Sequence, residues 1–364
     1  MKRLGAASDD AGRLSQFEDV DRSDRPTDSR EEEWMMADTK KLLGGSVVAA
    51  SLVIGAVVAV PPVHGQVGSS AIVGGARLQS AVPSCALDRI DQQSLPLDDR
   101  YFYPRQAGEG VVVYLVDSGI DYDNPDIAPR ARPGFDAFGG DGRDELGNGT
   151  SMAGIIGGTT YGVAKKVEMV SVKVINAQGG GSIEGLIAGI EWITEHASGP
   201  SVVNVVLGIP PDDRVDEAVR RSIASGITYV IEGGAVSEDV ATASPARVEE
   251  AVTVGVSDCA DRVMDTSNFG AGLDVYAPGV DVPAVGSDGT VRTHSGAHVA
   301  ASVTSGVAAL HLSRDRQASP EQVHARLRED ALTGVLTGVP SGTASRLITT
   351  SGAHGVGSGS LDRR

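Results

Sequence analysis

Four polar side chains stand in segments that are otherwise small or apolar, and their types are those of acyl-transfer chemistry. Asp117 ends the string Gly108-Glu-Gly-Val-Val-Val-Tyr-Leu-Val-Asp117-Ser-Gly119. Asn148 and Ser151 lie in Gly147-Asn148-Gly149-Thr150-Ser151-Met152-Ala153-Gly154. His298 lies in Ser295-Gly296-Ala297-His298-Val299-Ala300-Ala301, which continues apolar through Gly306 to Leu312. A hydroxyl that attacks, an imidazole that takes its proton and a carboxylate that orients the imidazole make a nucleophilic triad. Asn148 cannot serve in one, because an amide has no useful basicity near neutral pH. Ser151 is one helical turn from Asn148 and would face the same way.

The elements that must position these groups are legible as alternating strands and helices. Val111–Val116, Met169–Val174, Val202–Leu207, Thr228–Ile231 and Ala251–Val256 are rich in Val and Ile and bounded by Gly or Pro. Ile183–His196 and Arg214–Ser225 carry apolar residues at three- and four-residue spacing, as amphipathic helices require. Val299–Leu312 is apolar nearly all round and reads as a buried helix. Pro320–Asp330 reads as a helix with Pro at its start. Continuous apolar strands separated by helices predict a single α/β domain: a doubly wound, mainly parallel sheet with helices on both faces. Functional groups gather beyond the carboxyl ends of such strands. Asp117 and Glu232 each follow a strand end directly, which places both at one rim.

The three strings also resemble a known family. The segment around Asp117 is similar to the strand and turn that carry the catalytic aspartate of subtilisin-like serine proteases, the proteinase-K-like subtilases among them. The Asn148 segment resembles their His-Gly-Thr-His stretch, with asparagine at the histidine position. The His298 segment resembles their Gly-Thr-Ser-Met-Ala stretch, with histidine at the serine position. Val230-Ile231-Glu232-Gly233-Gly234-Ala235 resembles their Val-Val-Ala-Ala-Gly-Asn pattern, so that Ala235 falls where the oxyanion asparagine belongs. Ser302 and Val303 replace the proline and histidine usual after the serine. The resemblance runs from about Ala86 to Leu347. Loss of the serine or histidine alone costs such an enzyme on the order of 10⁶ in turnover, and loss of an oxyanion donor about 10²–10³.

That resemblance implies a scaffold without hydrolytic chemistry: a pseudoprotease acting by binding, as a decoy or a regulator of active relatives or their inhibitors. Gly179-Gly180-Gly181 and Val206-Leu207-Gly208 correspond to the two segments with which the family pairs an extended peptide as an added strand. Extended peptides or protease inhibitors are therefore the expected partners. Glu232 stands where the family has a small alanine at the pocket wall, and should crowd that pocket or favour a basic side chain. Asp274 falls where some members place a calcium carboxylate, with backbone carbonyls near Glu249 and Ala251. One carboxylate is a weak signal for calcium, and no other cofactor is implied. Two alternatives remain: an active endopeptidase with a rewired site, in which Ser151 attacks and His298 is the base, or a decayed gene product. The short Gln66–Pro83 interval, where relatives carry a folding segment, favours the latter.

Composition sets the surroundings. The 364 residues carry a formal net charge of −17, which argues against a nucleic-acid partner. A monomer is expected. Residues 1–41 mix acids and bases and have a disordered composition. Residues 42–65 hold an uncharged apolar run, Leu42 to Val60, preceded by Lys40-Lys41 and ended by Pro61-Pro62. Read from Met36, that run is a signal peptide with cleavage near Val63-His64-Gly65; read from Met1, it is long enough for a signal anchor. The domain is then extracellular, or membrane-tethered with the domain outside. Residues 66–83 read as a linker, 84–350 as the folded domain and 351–364 as a flexible Gly/Ser tail. An oxidising compartment permits Cys85 and Cys259 to pair, but two separate thiols are the expected state.

Overall fold

The computed structural model describes residues 34–35, 71–73 and 76–350. The expectations for the charged leader, the apolar run of 42–65 and the tail fall outside these residues, apart from Trp34–Met35. No helix among the described residues is long and apolar enough to cross a membrane.

A nine-stranded sheet forms the centre, in the order Leu332–Thr333, Arg346–Leu347, Val275–Pro278, Val252–Ser257, Thr228–Glu232, Ser201–Val205, Val112–Asp117, Glu168–Lys173, Ala131–Asp136. Its pairings are parallel except for Leu332–Thr333 against Arg346–Leu347. Alternation along each strand sends side chains to two separate cores. Val113, Leu115, Val202 and Val230 join the cluster beneath helices Asn148–Gly157, Ala297–Arg314 and Pro320–Asp330. Tyr114, Val116, Val203, Val205, Tyr229 and Ile231 join the cluster beneath helices Ile183–His196 and Asp213–Ala224. Helices thus cover both faces, and the central strands are apolar on both sides for that reason. Helix Ala297–Arg314 is buried from Val299 to Ser313, as its uniform apolarity predicts.

Ala131–Asp136 was not legible as a strand, because it contains Pro133 and Gly134. It sits at the sheet edge, where a missing N–H is tolerated, and its register shifts between Pro133 and Phe135.

Two expectations need correction. Cys85 and Cys259 are not separate thiols: they form a disulfide with Cα atoms 6.0 Å apart, joining residues 174 apart in sequence. Helix Cys85–Ile90 docks against the turn at 258–262, where Arg89 Nε and Asp261 Oδ1 pair at 2.6 Å and Arg89 Nη2 donates to Asp261 Oδ2 at 3.0 Å. That docking, made by side chains distant in sequence, brings the sulfurs together. The second concerns residues 66–83. Instead of a plain linker, Ala71–Val73 and Ala76–Ser80 are strands in a three-stranded antiparallel sheet with Arg100–Pro104. The pairing partner compensates for a sequence of weak strand propensity, and the folded part reaches back to these strands.

The disulfide closes a long loop, so its removal should be costly. Cys85→Ser with Cys259→Ser should lower unfolding free energy by about 2–5 kcal/mol, read from guanidinium titrations with unchanged native circular dichroism. A loss below 1 kcal/mol would mean that the Arg89–Asp261 docking alone holds this corner.

Candidate functional site

Sheet register sets the frame of the rim. Val116 stands opposite Val205, and Val205 opposite Ile231. The next residues, Asp117, Val206 and Glu232, therefore lie at one level beyond three adjacent strands. The two acids each stand two positions after a side chain of the first cluster, Leu115 and Val230, and Val206 belongs to that cluster itself. All three thus face the side covered by helices Asn148–Gly157 and Ala297–Arg314. Two strand spacings put the Asp117 and Glu232 backbones about 10 Å apart.

Asp117 is wholly buried. Asn148 Nδ2 donates to both carboxylate oxygens, at 3.1 and 3.0 Å, and the Ser118 N–H donates to Oδ1 at 2.6 Å. Asn148 opens its helix after Gly147, whose φ is +96°. Gly149 then passes so close to the turn that a Cβ would collide with the Gly119 carbonyl oxygen. Asp144 fastens the two together. Its carboxylate accepts from Ser118 Oγ at 2.8 Å, Gly147 N at 2.8 Å, Thr150 N at 2.8 Å and Thr150 Oγ1 at 2.6 Å. Sequence reasoning missed Asp144, although an acid just ahead of a helix start is a capping signal. Burial pushes the Asp117 carboxyl up to about 7; the Asn148 hydrogen bond works against that rise and the Asp144 charge adds to it.

His298 lies in the first turn of helix Ala297–Arg314. That turn is pinned to a strand end by Gly296 N–H on the Gly279 carbonyl, at 2.8 Å. One turn on, Ser302 Oγ donates to the His298 carbonyl at 2.8 Å and accepts from Asn204 Nδ2 at 3.2 Å, which fixes the helix over the central strands. The imidazole lies against Gly296, where a Cβ would be 2.8 Å from Cε1 and φ is +142°. Burial, with His294 nearby, pulls the imidazole down to about 4. It is neutral at physiological pH and a poor proton acceptor there. Ser151 is 1% exposed and its hydroxyl donates back to the Gly147 carbonyl at 3.0 Å. The rewired arrangement of a Ser151 nucleophile with a His298 base therefore finds no support in the geometry.

The loop bearing Ala235 keeps an ordered backbone. Asn268 Nδ2 donates to the Gly233 carbonyl at 2.8 Å, and its Oδ1 accepts from Val236 and Glu238 N–H, both at 3.0 Å. Ala235 presents a methyl that packs on the first core cluster, not an amide. Just before this loop, Glu232 has no hydrogen-bond or ion-pair partner among the described residues. Burial, then the charge of Asp117, push its carboxyl up to about 8.

The groove segments are placed as follows. Gly180–Gly181 form a short strand edge that pairs antiparallel with the backbone of Trp34–Met35. Asn176 holds this loop, its Oδ1 accepting from Gln178 N at 2.9 Å and Gly180 N at 3.0 Å. Gly179 has φ +79° and open space where a side chain would be. Val206 and Leu207 are buried and Gly208 is exposed. At Asp274, Thr253 N–H donates to Oδ2 at 2.9 Å, and His324 Nε2 and Arg328 Nη1 lie 2.9 and 3.8 Å from Oδ1. Among the described residues no group of three or more His, Cys, Asp or Glu side chains could hold a metal ion.

Comparison with known proteins agrees with this architecture. A sequence model of the subtilase family matches residues 108–357. The chain is 39% identical over 264 residues to an alkaline serine exoprotease A of Vibrio alginolyticus, covering 72% of this chain and 49% of that protein. It is 41% identical over 245 residues to an extracellular serine proteinase of a Thermus strain, covering 66% and 60%. Proteinase T of Parengyodontium album is 37% identical over 269 residues, covering 72% of this chain and 90% of that protein. The chain thus spans about half to three fifths of the first two relatives. A crystal structure of a cold-adapted subtilisin-like serine proteinase superposes with a TM-score of 0.72 at 36% identity, covering 74% of this chain and 99% of that one.

Two acids with raised values, Asp117 buried and Glu232 half-buried, predict a pH-dependent stability. A carboxyl raised in the native state contributes fully below its unfolded value, and that contribution is lost as pH rises through the folded value. Glu232 is raised from 4.5 to about 8. Glu232→Gln should therefore raise the thermal midpoint markedly at pH 9 and change it little at pH 5. Equal shifts at both pH values, by calorimetry, would show that Glu232 is not held protonated.

Proposed function

The chain belongs to the subtilase family, and we propose that it is a secreted, non-hydrolysing member that binds extended peptides or peptide-like inhibitors. One observation carries the reading. The group that caps the buried Asp117 is an amide, Asn148, at 3.0 and 3.1 Å, where a triad needs an imidazole whose other nitrogen takes a proton. Support comes from the remaining positions. His298 is a neutral ring without an attacking hydroxyl, and Ala235 has no donor for an oxyanion.

Peptide binding needs none of these groups, since strand addition draws on backbone hydrogen bonds and side-chain pockets. In favour of a competent edge, Gly180–Gly181 already pairs with a two-residue strand of the chain itself. The disulfide is in keeping with an extracellular setting, as is the name of the Thermus relative, an extracellular proteinase. Hydrolysis, the activity named in those relatives, would require a nucleophile from elsewhere in the cleft.

Incubation with a fluorophosphonate probe and casein separates the two. The full chain should show neither labelling nor cleavage, and either one would overturn the reading. Asn148→His with His298→Ser and Glu232→Ala, which clears the rim, should give at most weak peptidase activity. Adding Ala235→Asn should raise turnover by about 10²–10³ if the backbone is still competent.

A further inference from the structure

We propose that Lys165 is a reactive amine of this protein, a modification site at which small aldehydes condense with Nζ to an imine. It lies between helix Asn148–Gly157 and strand Glu168–Lys173, at the amino end of the sheet. The rim that carries Asp117 is at the other end, so the site stands apart from the groove and from the peptide-binding reading.

Three lysines stand among the described residues, and their surroundings separate them. Lys166 Nζ pairs with Glu109 Oε2 at 2.6 Å. Lys173 Nζ donates to the Ser118 carbonyl at 2.6 Å and lies 3.6 Å from Glu145. Lys165 pairs with no carboxylate of the described residues; its Nζ donates to the Thr160 carbonyl at 3.1 Å. That carbonyl is shared with Gln79 Nε2, also at 3.1 Å. Beside the amine stand two aromatic rings: Nζ is 5.8 Å from the centres of both Tyr101 and Tyr103, which stack at 5.3 Å. An ammonium has three hydrogens to donate, and one shared carbonyl replaces its hydration poorly. The side chain is half-buried, so the amine is not sealed in the core.

The charged groups around it do not make up the deficit. Asp126 is engaged by Thr160 itself, whose N–H donates to Oδ1 at 2.7 Å. Arg130, on the same loop, is held by the Asp126 carbonyl at 3.1 Å and by Thr159 Oγ1 at 3.3 Å; its charge repels an ammonium. Arg77 stands opposite Tyr103 in the small antiparallel sheet and bears on that ring's hydroxyl. Tyr101, Tyr103 and Tyr161 are raised by burial and stay neutral. The two ring faces attract an ammonium, but burial outweighs them and pulls the Lys165 amine down to about 7, with Asp126 opposing the shift and Arg130 adding to it.

A free amine has the lone pair that carbonyl addition needs. Nζ attacks the aldehyde carbon, the carbonyl oxygen takes up a proton, and the carbinolamine loses water to leave a C=N bond. Both amine hydrogens depart in that water with the carbonyl oxygen, so no oxidant or reductant is consumed. At pH 7 about half of this amine is free base, against roughly one part in two thousand for an unperturbed lysine.

The test is reductive labelling of the folded full chain with acetaldehyde and cyanoborohydride from pH 6 to pH 10, each lysine followed separately by peptide mass spectrometry. At pH 7 Lys165 should label about tenfold or more faster than Lys166, since half-burial offsets only part of the free-base advantage. Its rate should level off above about pH 8 while that of Lys166 keeps rising. In urea the two rates should converge, because the fold makes the difference. A Lys165 rate at or below that of Lys166 at pH 7 in the folded chain would overturn the proposal. So would a tenfold difference that persists in urea, which would trace the reactivity to local sequence instead of the tyrosine pair and its neighbours.

Discussion

Keeping a carboxylate at the end of a strand covered on both faces is the constraint on which the rim is built. Val112–Asp117 pairs with a parallel neighbour on each side and is packed beneath helices above and below. Its last side chain can reach water only if the surrounding loops leave an opening, and they do not: Asp117 is fully buried. An unpartnered charge there would cost several kcal/mol. The hydrogen bonds from Asn148 and Ser118, and the Asp144 network that positions both, follow from that cost. So does the position of helix Asn148–Gly157, which must bring its first residue onto the carboxylate and therefore needs glycine where it passes Gly119.

The same constraint explains how the fold accommodates asparagine in a position that resembles a catalytic histidine's. What the scaffold requires of that position is a hydrogen-bond donor aimed at Asp117, and an amide supplies one at ordinary distance. What a hydrolytic site would require is a second, basic nitrogen, which packing never tests. Stability and chemistry draw on different atoms of the same residue. The loop at 233–238 shows the same separation: Asn268 holds its backbone through three hydrogen bonds whatever side chain stands at 235. A scaffold of this kind can lose catalysis position by position without losing its shape.

Much of this was legible in the sequence because it depends on local pattern. Runs of Val and Ile gave the central strands to within a residue or two, and helices Ile183–His196 and Pro320–Asp330 end where the sequence places them. Strand ends alone put Asp117 and Glu232 on one rim. What escaped was decided by contacts between distant residues. The disulfide depends on Arg89 finding Asp261 across the fold, and the strand Ala76–Ser80 on finding Arg100–Pro104. Asp274, a lone carboxylate in its own segment, meets His324 and Arg328 from a helix some fifty residues later. Spacing reports periodicity along one element; it does not report which elements meet.

Glu232 and Ala235 bear on the rim in the same direction. Acyl transfer develops negative charge on an oxygen near the ends of these strands, and a hydrolytic site lowers that energy with fixed donors in a dry cavity. Here the position for a donor holds a methyl, and the half-buried carboxylate of Glu232 ends the strand that leads into the same loop. The low dielectric that would amplify a favourable donor amplifies an unfavourable anion equally. Glu232, when ionised, would oppose an oxyanion, and when neutral would still fill the volume that a small residue leaves open.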